Sequence, residues 1–353
     1  MNKVFIDGRE ISISQPPYIV AEMSANHNGD IQQAKNLITQ ASQTGVDAIK
    51  IQTYTADTLT INCDRDDFKI KGGLWDGYTL YELYQEAHTP FEWHKELFEH
   101  ARGQGITCFS SPFDETAVDL LEDLNCPAYK IASFEAIDLP LIQYAASTKK
   151  PLVISTGLAS LDEIGEAVEE AKQSGCTQLI LLHCISAYPA PIQESNLATI
   201  RDLAKKFNVL TGLSDHSLGT TVSVAAVAMG ACFIEKHFTL DRNIDGPDSS
   251  FSLTPDEFDI LCQDSRDAWL AIGTPSYHRT ASEDANAAFR RSIYVVKDIQ
   301  QGEMLSKDNI RSIRPGYGLA PKFFNQCLGK MATQNLSRGT PLTWQHMQGT
   351  DHE

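Results

Sequence analysis

The chain has 353 residues, 42% of them hydrophobic and 21% charged, and a formal net charge of -17. The length exceeds one barrel domain of about 250 residues by enough for a small second domain. The acidic balance argues against nucleic acid or anionic lipid as a partner, since both demand a basic surface.

No apolar run reaches the roughly 18 residues of a membrane span, and the N-terminus lacks a basic-then-apolar signal peptide. The eight cysteines are scattered without a Cys-x-x-Cys pair, which predicts reduced, mostly buried thiols in a cytoplasmic protein. Residues 1–17 alternate around Asp7-Gly8, a β-hairpin signal, and are expected to plug the bottom of the fold that follows. Strand-like segments then recur at 18–22, 48–52, 108–111, 128–133, 152–155, 180–183, 212–216 and 233–237. Helical spacing fills the intervals: Ile31, Ala34, Leu37, Ile38 and Ala41 follow an Asp30 cap, and Leu161, Ile164, Ala167, Val168 and Ala171 follow Ser160. Gly45, Gly105, Asn125, Gly175, Asn208 and Gly230 punctuate the helix ends. Eight apolar strands alternating with helices predict a (β/α)8 TIM barrel over residues 18–273. Residues 274–287 are polar and mixed, a linker; residues 288–353, with short strands and Gly/Pro turns, predict a small β-rich domain.

In such a barrel the strands' C-terminal ends converge on one face, where the catalytic groups sit. Alternate residues of a strand face opposite sides. Glu22 and Ser24, Lys50 and Gln52, Ser214 and His216, and Glu235 and His237 therefore share faces. Faces turned to the helices are expected to be apolar, as Ile49, Ile51 and Ile234 are, so the polar set points into the mouth. Closure places the eighth strand beside the first and the seventh, about 4.8 Å away. His216, His237 and Glu22 are expected to cluster. Two imidazoles on adjacent strand ends suit one borderline divalent ion with open positions; either ring could instead be a lone hydrogen-bonded side chain. Glu22 reads as a third ligand or as a base acting through bound water.

Lys50 and Lys130 sit mid-strand on inward faces, and a buried ammonium needs an anion. Internal carboxylates at Glu22, Glu135 or Glu235 are one source; an anionic substrate is the other. Ser111, Ser133, Ser155, Thr156 and Ser214 ring the same mouth, and the helix after Ser155-Thr156-Gly157 can add amide donors. Cations and hydroxyls together suit a small phosphorylated acid. Lys130 could alternatively form a Schiff base, as in aldolases. The aromatic block from Leu74 to Tyr84 falls in the long connection between the second and third strands, where barrels place specificity. It reads either as a cover packed on a helix or a dimer contact, or as a wall of the mouth.

These residues carry a resemblance. Glu22-Met-Ser-Ala-Asn-His-Asn-Gly29, Lys50-Ile-Gln52, Ser110-Ser-Pro-Phe113, Tyr129-Lys-Ile-Ala-Ser133, Ser155-Thr-Gly157, His183-Cys184, Gly212-Leu-Ser-Asp-His216, Glu235-Lys-His-Phe238 and Gly246-Pro-Asp248 resemble the sialic acid synthase family. Arg314-Pro-Gly-x-Gly318 is similar to that family's C-terminal antifreeze-protein-like (SAF) domain. Ala25 and the Leu74–Tyr84 block resemble the pseudaminate branch, and Ser186-Ala-Tyr188 stands where the neuraminate branch carries Asn-x-Tyr. The resemblance implies condensation of phosphoenolpyruvate with a bis-acetamido trideoxy-altrose and water, giving pseudaminate and phosphate; neuraminate or legionaminate synthesis is the close alternative. It implies a divalent metal, Mn2+ with Mg2+ or Co2+ as substitutes, held by His216 and His237 beside a catalytic Glu22. It implies phosphoenolpyruvate on Lys50, Ser111, Lys130, Ser133, Ser155 and Ser214, and the sugar on Gln52, Glu135, Tyr188, Asp248 and Arg314. It further implies a domain-swapped homodimer in which Arg314 serves the partner's site. A non-catalytic sugar-binding module would have no need of paired histidines and paired lysines in the mouth.

Overall fold

The structure is a computed structural model that describes residues 3–244 and 246–349; the outermost ends of the expected domains, 1–2 and 350–353, lie outside the described residues. Strands β1 (Val4–Ile6) and β2 (Arg9–Ile11) form an antiparallel hairpin. Its Val4, Ile6 and Ile11 join the main core. The Phe5 amide donates to Gln178, just before a barrel strand, and Thr107, the first residue of another, donates to Asp7. Those contacts set the hairpin against the N-terminal strand ends, the bottom of the fold.

Eight parallel strands close the barrel: β3 (Tyr18–Glu22), β4 (Ala48–Thr53), β5 (Thr107–Pro112), β6 (Tyr129–Ile131), β7 (Leu152–Ser155), β8 (Leu179–Cys184), β9 (Leu210–Asp215) and β10 (Phe233–His237). β10 pairs β3 on one side and β9 on the other. Gly212 is needed in β9 because a Cβ there would sit 2.2 Å from the Phe233 carbonyl oxygen of β10. Helices pack outside with the expected faces. Asp30 caps Ile31–Gln43 through the Gln32 amide, and Ser160 and Glu163 form a capping box on Leu161–Gln173. Ile164, Ala167, Val168 and Ala171 are buried, but Leu161 is exposed: it lies in the first turn, outside the packed stripe.

Two expected strands end early. β6 stops at Ile131 and Ser133 opens a 3-10 turn, Ser133–Glu135; β9 stops at Asp215, so His216 lies just past the ladder. The expectation of apolar helix-facing residues also fails in places. Asp215 and Lys236, opposite each other in the β9–β10 register, point away from the mouth and are buried. Their ion pair spans 2.9 Å, Lys236 also donates to the Ser217 carbonyl, and Asp215 accepts from the Ser217 amide and the Ser223 hydroxyl. Complete pairing is what makes two charges tolerable there.

The chain divides between Gly273 and Thr274. In the second unit the segment expected as a linker carries one helical turn, Ala281–Asp284. Strands β11 (Ser292–Val295) and β12 (Ile310–Ile313) pair antiparallel, over a core of Ile293, Val295, Ile310, Leu336 and Leu342. All eight cysteines are unpaired, seven of them buried. No helix among the described residues is long and apolar enough to cross a membrane.

Breaking the rear ion pair should be costly. Lys236→Met leaves Asp215 buried and unmatched, so denaturant unfolding should show a loss of about 3–5 kcal/mol, with Asp215→Asn/Lys236→Met losing less than the sum of the single changes. A single-variant loss below about 1 kcal/mol would mean the pair is not coupled in the folded state.

Candidate active site

The barrel registers assemble the site. Glu22 is opposite His237 across β3–β10 and opposite Lys50 across β3–β4; Gln52 is opposite Ser111; Glu235 is opposite Ser214. Inward parity then projects these side chains into one cavity of about 370 Å³ at the C-terminal strand ends. Its lining includes Glu22, Lys50, Gln52, Ser111, Lys130, Ser133, Glu135, Tyr188, Ser214, His216, His237 and Asp248. Two expected residues lie elsewhere. Ser155 ends β7 but is not in the lining; its Oγ is buried without a hydrogen-bond partner. Arg314 belongs to the second unit, exposed at the end of β12.

The floor is a charge cluster. Lys50 Nζ lies 2.6 Å from Glu22 Oε2 and 3.7 Å from Glu235 Oε1, and Lys130 Nζ lies 3.2 Å from the same Glu235 oxygen. All four side chains are buried. Lys50 also donates to Ser111, Ser214 to Glu235, and Gln52 to both Glu22 and Ser24. The internal carboxylates thus do partner the lysines. Burial raises the Glu22 pKa, with Lys50 opposing. Burial also works against ionised Glu235, but attraction from Lys130 and Lys50 outweighs it and holds that carboxyl below its usual range. Lys130 loses to burial and gains more from Glu235 and Glu22, so its pKa is raised and it stays an ammonium.

Above the floor His216 and His237 pack with ring centroids 5.4 Å apart, and Tyr188 lies 4.3 Å from His216. The ring nitrogen Nδ1 of His216 sits 3.0 Å from the Ile185 carbonyl, which can only accept, so Nδ1 carries a proton; burial works against a charged ring, but the Cys184 thiol beside Nδ1 and that carbonyl outweigh it and raise the His216 pKa. Burial, with repulsion from His216, Lys50 and Lys130, pushes the His237 pKa well down and keeps that ring neutral. Its Nδ1 is buried without a hydrogen-bond partner, 3.6 Å from Asp248 Oδ2. With its Nε2 proton displaced, His216 would join the neutral His237 as a pair of imidazoles that suits a borderline divalent ion. Among the described residues no three His, Cys, Asp or Glu side chains converge as a ready metal cage. Elsewhere in the lining, burial pushes Glu135 up to about 7, and its buried Oε2 has no hydrogen-bond partner.

Sequence reasoning set apart Leu74–Tyr84 as a candidate wall and left out Tyr54, Leu59, Ile70 and Phe113. Tyr54, Leu59, Ile70, Trp75, Leu80, Leu83, Tyr84 and Phe113 line one side. Most come from the β4–β5 connection, whose return to the mouth no periodicity encodes; the aromatic density around Trp75 was the available signal.

Known proteins resemble this chain over most of its length. The NeuB family matches residues 37–277, and the SAF domain matches residues 290–348. A pseudaminic acid synthase of Campylobacter jejuni is 48% identical over 92% of this chain and 95% of its own. An N,N'-diacetyllegionaminic acid synthase of Legionella pneumophila is 40% identical over 94% of each. The crystal structure of an N-acetylneuraminic acid synthetase from Leptospira borgpetersenii superposes with a TM-score of 0.73 at 29% identity, over 81% of this chain and 95% of that one. The chain belongs to the NeuB family, with a SAF domain following its barrel.

Proposed function

We propose that this chain is a pseudaminate-forming synthase: it condenses phosphoenolpyruvate with 2,4-diacetamido-2,4,6-trideoxy-L-altrose and water to give pseudaminate and phosphate. The observation that carries the reading is the buried Lys50–Lys130 floor beneath two histidines, in a chain most alike to synthases of that acid among the relatives above. Lys50, Lys130, Ser111, Ser133 and Ser214 hold the carboxylate and phosphate, with Ser155 behind them at the end of β7. Gln52, Glu135, Tyr188 and Asp248 take the acetamido groups and hydroxyls; the unpartnered Glu135 Oε2 suits an amide N–H.

Carbon 3 of phosphoenolpyruvate bonds to the aldehyde carbon as the C2–C3 π bond breaks, leaving a cation at carbon 2, and the aldehyde oxygen takes a proton from solvent to become a hydroxyl. Water adds to the cationic carbon 2. Glu22, whose pKa burial raises, takes the proton from that water. The C–O bond to phosphate then breaks, leaving the 2-keto acid. A divalent ion on His216 and His237, manganese in our reading and magnesium or cobalt as substitutes, would supply Lewis acidity at the aldehyde oxygen. A Schiff-base aldolase reading of Lys130 fares worse, because a lysine held as an ammonium by Glu235 is a poor nucleophile. The unpaired cysteines suit a reducing compartment, and we assign the enzyme to the cytoplasm.

The mouth also favours a dimer. Phe134, Ile137, Leu158 and Leu218 stand on the loops after β6, β7 and β9 and are all more than half exposed. Such a rim suits cover by a second copy, whose SAF domain would bring Arg314 to the sugar.

Phosphate release with each candidate sugar, read with product mass, tests the function. The bis-acetamido altrose should give pseudaminate, thorough chelation or His216→Ala should abolish turnover, and borohydride should trap no adduct. Turnover of N-acetylmannosamine alone, or full activity in chelator, contradicts the reading.

The swap has its own test. Arg314→Ala and Glu22→Ala proteins should each be inactive. Verified heterodimers of the two should regain part of the activity, because one site then has both residues. No recovery would mean that Arg314 serves its own chain or none.

A further inference from the structure

One side of the cavity has no role in the chemistry above. The connection between β4 and β5 folds back so that Leu59, Ile70, Trp75, Leu80, Leu83 and Tyr84 line the cavity. Only Trp75 and Tyr84 among them carry a side-chain polar atom. The Trp75 indole N–H already donates to the Pro247 carbonyl at 3.1 Å, and its ring packs on Tyr188 at 5.5 Å between centroids. Tyr188 in turn lies against His216. Trp75 is therefore pinned from two other loops, as the fixed point that ties the wall to the reaction centre. Leu80 starts the helix Leu80–Ala87, which Thr79 and Glu82 cap with a capping box, so the wall's second half is also held in place.

A hydroxyl set against this face loses its water and finds almost no partner; a methyl loses nothing. We propose that the wall, with Trp75 at its centre, is the specificity element of the site: it receives the C6 methyl of a 6-deoxy diacetamido sugar and disfavours a hydroxymethyl at the same carbon. The inference rests on the function proposed above and adds the residues that choose among its sugars.

The test compares kcat/KM for 2,4-diacetamido-2,4,6-trideoxy-L-altrose with that for its 6-hydroxy counterpart. The wild type should prefer the 6-deoxy sugar by about a hundredfold, the usual reach of an apolar pocket against an added hydroxyl. Trp75→Ala and Leu80→Asn should each shrink that preference to a few-fold while leaving the KM for phosphoenolpyruvate unchanged. Trp75→Phe, which keeps a ring on Tyr188, should retain most of it. Thermal melts verify that each variant is folded. An unchanged preference in both Trp75→Ala and Leu80→Asn, with the two rates falling together, overturns the proposal and leaves the function standing. So does a wild type that turns over both diacetamido sugars equally. A wild type inactive on both but active on N-acetylmannosamine overturns the function, and the wall's role with it.

Discussion

Two lysines and two glutamates share the floor of this barrel, and the site depends on their balance. Taking each ion out of water costs several kcal/mol, and only close pairing makes it bearable. Glu235 is the hinge of the set, since Lys50 and Lys130 both reach its Oε1 while Glu22 holds Lys50 from the other side. Barrel interiors are ordinarily filled by layers of branched apolar side chains. Here the uppermost layer is ionic. Register makes this possible: a slip of one residue in β4 would turn Lys50 and Gln52 toward the helices and leave Ile49 and Ile51 in the mouth.

Strands β9 and β10 carry charge on both faces. Glu235 faces the mouth and Lys236 the helices; Ser214 faces the mouth and Asp215 the helices. His216 and His237 follow directly. Each histidine is thus placed by a strand end that is locked from behind by the Asp215–Lys236 pair and Ser217, and from in front by the lysine floor. The same crowding requires Gly212, where β10 passes too near for any side chain.

Much of this was legible before any coordinates. A period of two sorts strand residues onto faces, and closure makes the first and last strands neighbours, so Glu22, His216 and His237 could be brought together from sequence alone. Pairing was harder to read. Lys50 and Lys130 announced an anion, but parity does not say whether it is a carboxylate of the protein or one of the substrate; here Glu22 and Glu235 partner the lysines. Ser155 shares the strand-end pattern of Ser111 and Ser214, yet it is buried at the end of β7, because a strand-end position does not fix whether the hydroxyl reaches open space. Asp215 and Lys236 broke the rule of apolar outer faces, since two opposite charges in register can replace two apolar residues. The Trp75 wall lies in a connection with its own short helices, placed by contacts with Pro247 and Tyr188 that are distant in sequence.

The central claim is that the floor charges serve the anion rather than the fold. Calorimetry of phosphoenolpyruvate binding to Lys130→Met/Glu235→Gln tests it, because that variant removes one charge of each sign and leaves the floor balanced. The account predicts a folded protein whose affinity falls by a hundredfold or more, on the order of the 3–5 kcal/mol by which losing one partner of a buried ion pair is felt. Binding at wild-type affinity would contradict it.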